Sequence, residues 1–191
     1  MKYTEEEILK KREERKREKY STLETGIYMD GRIMQFQRQE LFGEITVMLP
    51  DSMQVMPEEY ARIRYPSHFR PALILTTADL AVNLGFTLIR QDTEDMDTNA
   101  VAEGTRAAVR RAHPDFRTYP CVCLSENRGS WFAFRSHALD SDVYNLLLTM
   151  AAGKYLLQGS FNCPYQIYEK WKPVALMIWE TIEEIKEEEA I

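Results

Sequence analysis

Residues 119–185, YPCVCLSENRGSWFAFRSHALDSDVYNLLLTMAAGKYLLQGSFNCPYQIYEKWKPVALMIWETIEEI, decide the fold. Four segments alternate apolar and polar residues, and a stripe at helical spacing follows them. Side chains of a strand alternate sides, so each segment offers one face to a core and the other to water. The predicted strands cover 119–125, 131–138, 143–150 and 154–162, with turns at 127–129, through 140–142 and at Ala152-Gly153. Connections this short make sequential strands antiparallel neighbours. Trp171, Val174, Ala175, Ile178, Ile182 and Ile185 then mark one face of a terminal helix. Pro173 would break a helix interior, so the regular part is expected to begin near Trp171, with 165–170 as a turn or a separate helical piece. The acids at 183–189 oppose the helix dipole, so the last turn is expected to fray.

Working outward, Asp30-Gly31 lies between apolar runs at 27–29 and 33–37, a hairpin signal. Ile45, Val47 and Leu49 share one side of a segment at 42–49 that stops at Pro50. A short helix is predicted at 57–64, with Pro57 in its first turn. Tyr65-Pro66 and Arg70-Pro71 bracket a loop. A short strand follows at 73–76, and Val82, Leu84, Phe86 and Leu88 alternate with Asn83, Gly85 and Thr87 in the next. Residues 97–113 read as a helix, with Arg106, Arg110 and Arg111 toward its C-terminus and Pro114 ending it.

At the start, Thr4 and Glu7 form a capping box for a helix over 4–20. Only Ile8 and Leu9 are apolar there, too few for a coiled-coil seam. The expectation is a solvated or frayed charged arm, the alternative a partner-binding one. The chain is thus divided into an arm over 1–24 and a single domain over 25–191.

A chain of 191 residues suits one domain with an appendage, and at that size ~70% of the unfolded surface can be buried without a disulfide or metal. The net charge is −6, with residues 1–20 at +2 and the remainder at −8. So acidic a domain is a poor partner for nucleic acid or an anionic membrane. No run reaches the ~18 apolar residues of a membrane span. The densely charged N-terminus lacks a signal-peptide core, and three cysteines fit a reducing compartment. A cytoplasmic location is expected.

Chemistry is harder to read. Cys121 and Cys123 share a face of their predicted strand, and Cys163 ends another. With His113 or His137 they could hold zinc, but the spacing lacks a paired Cys-x2-4-Cys knuckle, and core cysteines are the expectation. The acids Glu94, Asp95 and Asp97 lack the glycine and terminal glutamate of a calcium loop. No glycine-rich phosphate loop, nucleophile elbow or Cys/His protease signature is present, so no cofactor, metal or catalytic residue is assigned. Arg62, Arg64, His68 and Arg70 cluster with Tyr60, Tyr65 and Phe69, a pattern that can bind an anion. Trp131, Arg135 and His137 share one side of their strand. If Asn145, Thr149, Gln158, Ser160 and Asn162 face the same way, the sheet carries a groove for a peptide or small ligand. Those two sets are the candidate anion-binding and ligand-binding residues.

The order Trp131-Phe132-Ala133-Phe134, then Leu139 to Asn145, then Gly153-Lys154-Tyr155-Leu156-Leu157, then Gly159-Ser160-Phe161-Asn162-Cys163-Pro164 and a helix at Trp171 resembles the PsbP/DcrB-like group, which includes the Ran-binding Mog-type proteins. The likeness spans about 42–185. It implies an α/β fold of the α+β kind, a central antiparallel sheet with helices on both faces. It also implies adaptor or protein-binding roles, and it carries no functional residues across. The charged arm departs from the group's exported or lipidated starts. The functional expectation is a binding or adaptor domain for a protein or peptide, self-associating or not, without covalent chemistry. The alternative is a small-ligand-binding or hydrolytic enzyme of unrecognised type.

Overall fold

The computed structural model describes residues 4–67, 70–138 and 141–185. In chain order the elements begin with α1 (Glu5–Lys19), β1 (Ser21–Thr22), β2 (Gly26–Met29), β3 (Arg32–Met34), β4 (Phe36–Leu41), β5 (Ile45–Pro50), β6 (Gln54–Val55) and α2 (Glu58–Arg64). They continue with β7 (Leu73–Thr76), β8 (Asn83–Arg90), α3 (Thr98–Ala112), β9 (Arg117–Thr118) and β10 (Val122–Cys123). The last are β11 (Gly129–His137), β12 (Asp142–Ala152), β13 (Tyr155–Pro164), α4 (Tyr168–Glu180) and β14 (Glu183–Glu184).

The main sheet runs β10-β11-β12-β13-β8-β7-β6, with β9 also on the outer edge of β11, and its pairings are antiparallel. Register puts Trp131 opposite Leu148, Leu148 opposite Gly159, and Phe161 opposite Leu84. Directly paired residues share a face. One face therefore carries Trp131, Ala133, Leu146, Leu148, Leu157, Phe161, Leu84 and Phe86, all buried in the main core. Val174, Ala175, Ile178 and Trp179 of α4 close that core, joined by Ile45, Val47 and Leu49 of β5. All three β5 side chains are fully buried, each stabilising the fold by roughly 1.5–3 kcal/mol. The helix α3 packs on β11 and β12, above residues of the other parity such as Phe132, which is also buried. Helices thus cover both faces of a central antiparallel sheet.

Two smaller sheets complete the layer, β1-β2-β3 and β14-β5-β4. Asp30 and Gly31 both adopt positive φ in the β2–β3 turn, the type I′ geometry that a two-residue hairpin favours. The capping box on α1 is formed, with Thr4 Oγ1 accepting the Glu7 N–H and Glu7 receiving the Thr4 N–H at 2.9 Å. No α1 residue is buried. The helix touches β2 through Tyr28, whose hydroxyl donates to Glu13 at 2.7 Å. Leu23, between β1 and β2, lies in the main core.

Three expectations need correction. Residues 119–125 do not form one strand. Only Val122 and Cys123 of them are strand, as β10, and Pro120, which has no N–H to give a ladder, stands between them and β9. The last helix begins at Tyr168 and contains Pro173. Its lost N–H leaves the Glu169 carbonyl without an i+4 donor, a penalty the buried stripe at 174–179 outweighs. The helix also ends at Glu180, before Ile182 and Ile185. Arg128 donates to the Glu180 carbonyl at 2.7 Å and to that of Ile182 at 3.0 Å, a cationic cap where the dipole wants one. The chain then turns, and Glu183 and Glu184 pair with Thr46 and Ile45 instead of fraying. The acids at 187–189 lie outside the described residues.

Candidate functional site

The face of the sheet opposite α4 holds a cleft of about 530 Å³. Its floor is polar because alternation on three neighbouring strands coincides. Asn145 pairs with Asn162, Thr149 with Gln158, Thr87 with Gln158 and Gly85 with Ser160. These rungs project together. One wall is α3, which contributes Thr105, and the other is Arg64 at the end of α2 with the strap residues Tyr65, Pro66, Ser67, Arg70 and Pro71. Gly85 allows that wall. A Cβ there would strike the Ser160 hydroxyl and come within 2.6 Å of Pro71 Cγ, so only glycine lets the proline lie flat against β8.

A directed chain of hydrogen bonds joins the core to the cleft. Thr76 Oγ1 donates to Asn83 Oδ1 at 2.6 Å, Asn83 Nδ2 to Asn162 Oδ1 at 2.9 Å, and Asn162 Nδ2 to the Tyr65 hydroxyl at 2.7 Å. Thr76 and Asn83 are fully buried, where such groups need partners. Burial also pushes the Tyr65 phenol above its ordinary range, so it stays protonated. Ser160 Oγ is buried and, among the described residues, has no hydrogen-bond partner. Thr87 Oγ1 accepts the Ala72 N–H at 3.1 Å.

At the rim, Arg64 donates to the Leu80 carbonyl, and Arg70 pairs with Glu58 at 2.7 Å. Glu58 also receives Arg62 at 3.0 Å. Hydrogen bonds from Arg70 and then Arg62 hold its carboxyl below the usual range. Of the sequence-predicted anion residues, Arg64 and Arg70 therefore line the cleft, and Arg62 stands behind them through Glu58. His68 and Phe69 lie outside the described residues.

The other predicted set divides. Asn145, Thr149, Gln158, Ser160 and Asn162 do share a face and do form a groove. Trp131, Arg135 and His137 are not on it, because they pair with Leu148, Tyr144 and Asp142 on the α4 side. Trp131 is buried beneath Lys172, whose Nζ sits 5.3 Å from its ring. Arg135 bonds Asp142 and stacks 4.2 Å from the Tyr165 ring. His137 Nδ1 reaches the other Asp142 oxygen at 2.6 Å. Hydrogen bonds from His137 and then Arg135 hold the Asp142 carboxyl below its usual range.

The cysteines do not converge. Cys121 lies by Glu103, where burial and that acid push its thiol up to about 11. Cys123 accepts from Ser130 at 3.7 Å, and Cys163 is buried on the α4 side, its thiol pushed up to about 12 by burial. Among the described residues no three His, Cys, Asp or Glu groups meet to hold a metal. Sequence reasoning missed Thr105 and the strap's place in the cleft. Thr87 had a signal, since its alternation with Gly85 and Asn83 matches that of β13.

No family model matches the chain, and no curated protein matches it in sequence. Solved structures match in fold. Cyanobacterial PsbP (CyanoP) from Synechocystis sp. PCC 6803 is similar at a TM-score of 0.58 and 10% identity, covering 84% of this chain and 98% of that one. LpqN of Mycobacterium tuberculosis, involved in cell envelope biogenesis, is similar at 0.52 and 13%, covering 79% and 92%. The Ran-binding protein Mog1p of Saccharomyces cerevisiae is similar at 0.49 and 10%, covering 78% and 95%. The likeness is one of fold, and the chain has the PsbP/DcrB-like fold. No helix among the described residues is long and apolar enough to cross a membrane.

Proposed function

We propose that the chain is a binding domain that seats a small polar ligand in the cleft between α3, the strap and the sheet, by hydrogen bonding and charge, without covalent chemistry. The supporting observation is the preformed cavity of about 530 Å³, with a largely apolar lining and a few polar groups set into its floor. Pockets of that size suit small ligands, whose orientation a few placed polar groups fix. Three free cysteines, one of them exposed, accord with a reducing, cytoplasmic setting. The test is an amide NMR titration of the full chain with a fragment library. Binders should move the signals of Asn145, Thr149, Gln158 and Ser160. Gln158→Trp, at an exposed position on the floor, should fill the cleft and remove those shifts while the rest of the spectrum stays. Shifts that persist in this variant overturn the assignment.

A second reading is an adaptor for a protein or peptide partner. Ile63 is 77% exposed and Tyr60 42%, an apolar pair three residues apart on α2 of the kind interfaces use. In that case Ile63→Asp abolishes capture of a partner that the parent chain retains, and Gln158→Trp does not. Light scattering at a multiple of 22.4 kDa would identify that partner as a second copy.

A further inference from the structure

Around Tyr65, Thr87 and Ser160 the cleft offers hydroxyl donors, whereas Thr105 and Asn145 have given their hydrogens to neighbouring groups. The Tyr65 oxygen already accepts the Asn162 amide, so the hydrogen left on that hydroxyl can only be given away. Thr87 Oγ1 is in the same position, having accepted the Ala72 N–H. Ser160 holds a buried hydroxyl that no described residue meets. Asn162 bonds the Tyr65 hydroxyl and stands two residues from Ser160, so Tyr65 meets β13 one rung along the same face from Ser160. Above them, Arg64 and Arg70 commit one N–H each in the described contacts, to Leu80 O and Glu58, out of five that a guanidinium carries. No described lining residue is a carboxylate. Glu58 is the acid nearest Arg70, and it is shared with Arg62. Asp79, the acid near Arg64, is held by Thr77 and the Ala81 N–H.

A buried donor left without an acceptor is unfavourable by about 1–3 kcal/mol, so a site built this way favours a ligand that brings acceptors. Two guanidinium groups beside it favour one that brings negative charge. The geometry points to an oxyanion, a carboxylate or phosphoryl group, as the head of the ligand, held by Tyr65 and Ser160 beneath Arg64 and Arg70. This rests on the binding-domain reading above. The chain as a whole is acidic, so the attraction is local to the strap and selects the head group at short range.

The test uses three probes on the labelled full chain: benzoate, its neutral isostere benzamide, and inorganic phosphate. Benzoate or phosphate should shift the amide signals of Tyr65, Gln158 and Ser160 with a Kd about tenfold or more below that of benzamide. Benzoate alone would name a carboxylate source, phosphate alone a phosphoryl one. Tyr65→Phe and Arg64→Gln should each remove most of that preference, weakening the anions far more than benzamide. Both variants keep the bulk of the side chain, and their own spectra report folding. Benzamide binding as well as benzoate overturns the oxyanion head and leaves the binding domain standing. Anion shifts confined to the basic residues of α1 overturn it equally. Silence of the cleft toward all three probes, with library fragments still shifting it, overturns the head group alone. Silence toward the library as well removes both readings.

Discussion

Truncating Asn83 tests whether the polar chain from Thr76 to Tyr65 holds the cleft floor together. Asn83→Ala removes the amide that accepts from Thr76 and donates to Asn162. Thr76 Oγ1 has a second acceptor, the Thr77 carbonyl at 3.3 Å, so it can turn to that. Asn162 Oδ1 has no such alternative among the described contacts, and an acceptor orphaned at this half-buried position is unfavourable by up to about 1–3 kcal/mol. Asn83 is itself fully buried, and the space left by its side chain adds about 1 kcal/mol. The expected loss is about 3 kcal/mol, or roughly 6–12 °C in Tm for a chain of this size. Urea unfolding followed by circular dichroism reads it. Repeated in a Tyr65→Phe background, the loss should shrink, because the chain is already cut at its far end. A loss under about 1 kcal/mol, or one equally large in both backgrounds, refutes a connected network.

Gly159→Ala should cost about 1–3 kcal/mol, because its Cβ would meet Leu148 Cβ at 3.1 Å and Trp179 Nε1 at 3.5 Å, both fully buried; the same urea midpoint checks it. Asp142, Glu58, Glu103 and Asp79 all have carboxyls held below their ordinary values by hydrogen bonds and neighbouring arginine charge. Their stabilisation is present above the unfolded carboxylate pKa of about 4 and fades as pH falls through the lower folded values. Stability measured from pH 7 downward should therefore hold to about pH 4 and then fall, and Asp142→Asn should flatten part of that fall. Iodoacetamide at mildly alkaline pH should alkylate the exposed Cys123 first, while Cys163, buried with its thiol pushed up to about 12, reacts only on unfolding. Peptide mass mapping over time gives the order.

Periodicity reveals which residues of a strand lie together, and β5 shows how far that goes. Ile45, Val47 and Leu49 alternate, and all three are fully buried. Periodicity alone says nothing about which face of one strand meets which face of the next. Four residues separate the paired ends His137 and Asp142, and two separate Ala152 and Tyr155. An even loop between paired ends makes odd positions face even ones. That rule places Trp131 with Leu148 and apart from Thr149, and it was readable from loop length. The C-terminal stripe misled for a different reason. Ile182 is buried at the spacing a helix would give, yet it sits beyond the last helical turn, since β5 offered its neighbours a ladder. The cleft's second wall was beyond reach. Nothing local marks Tyr65 as the end of a chain that starts at Thr76, because that contact exists only after β7, β8 and β13 have assembled.

The pairing of Glu183 and Glu184 with β5 bears on how the protein is made. The hairpin of β4 and β5 leaves the ribosome well before its flanking strand and the helix that covers Ile45, Val47 and Leu49. That apolar ridge therefore stays bare until α4 emerges. A nascent chain stalled or clipped before α4 would present it to chaperones and proteases.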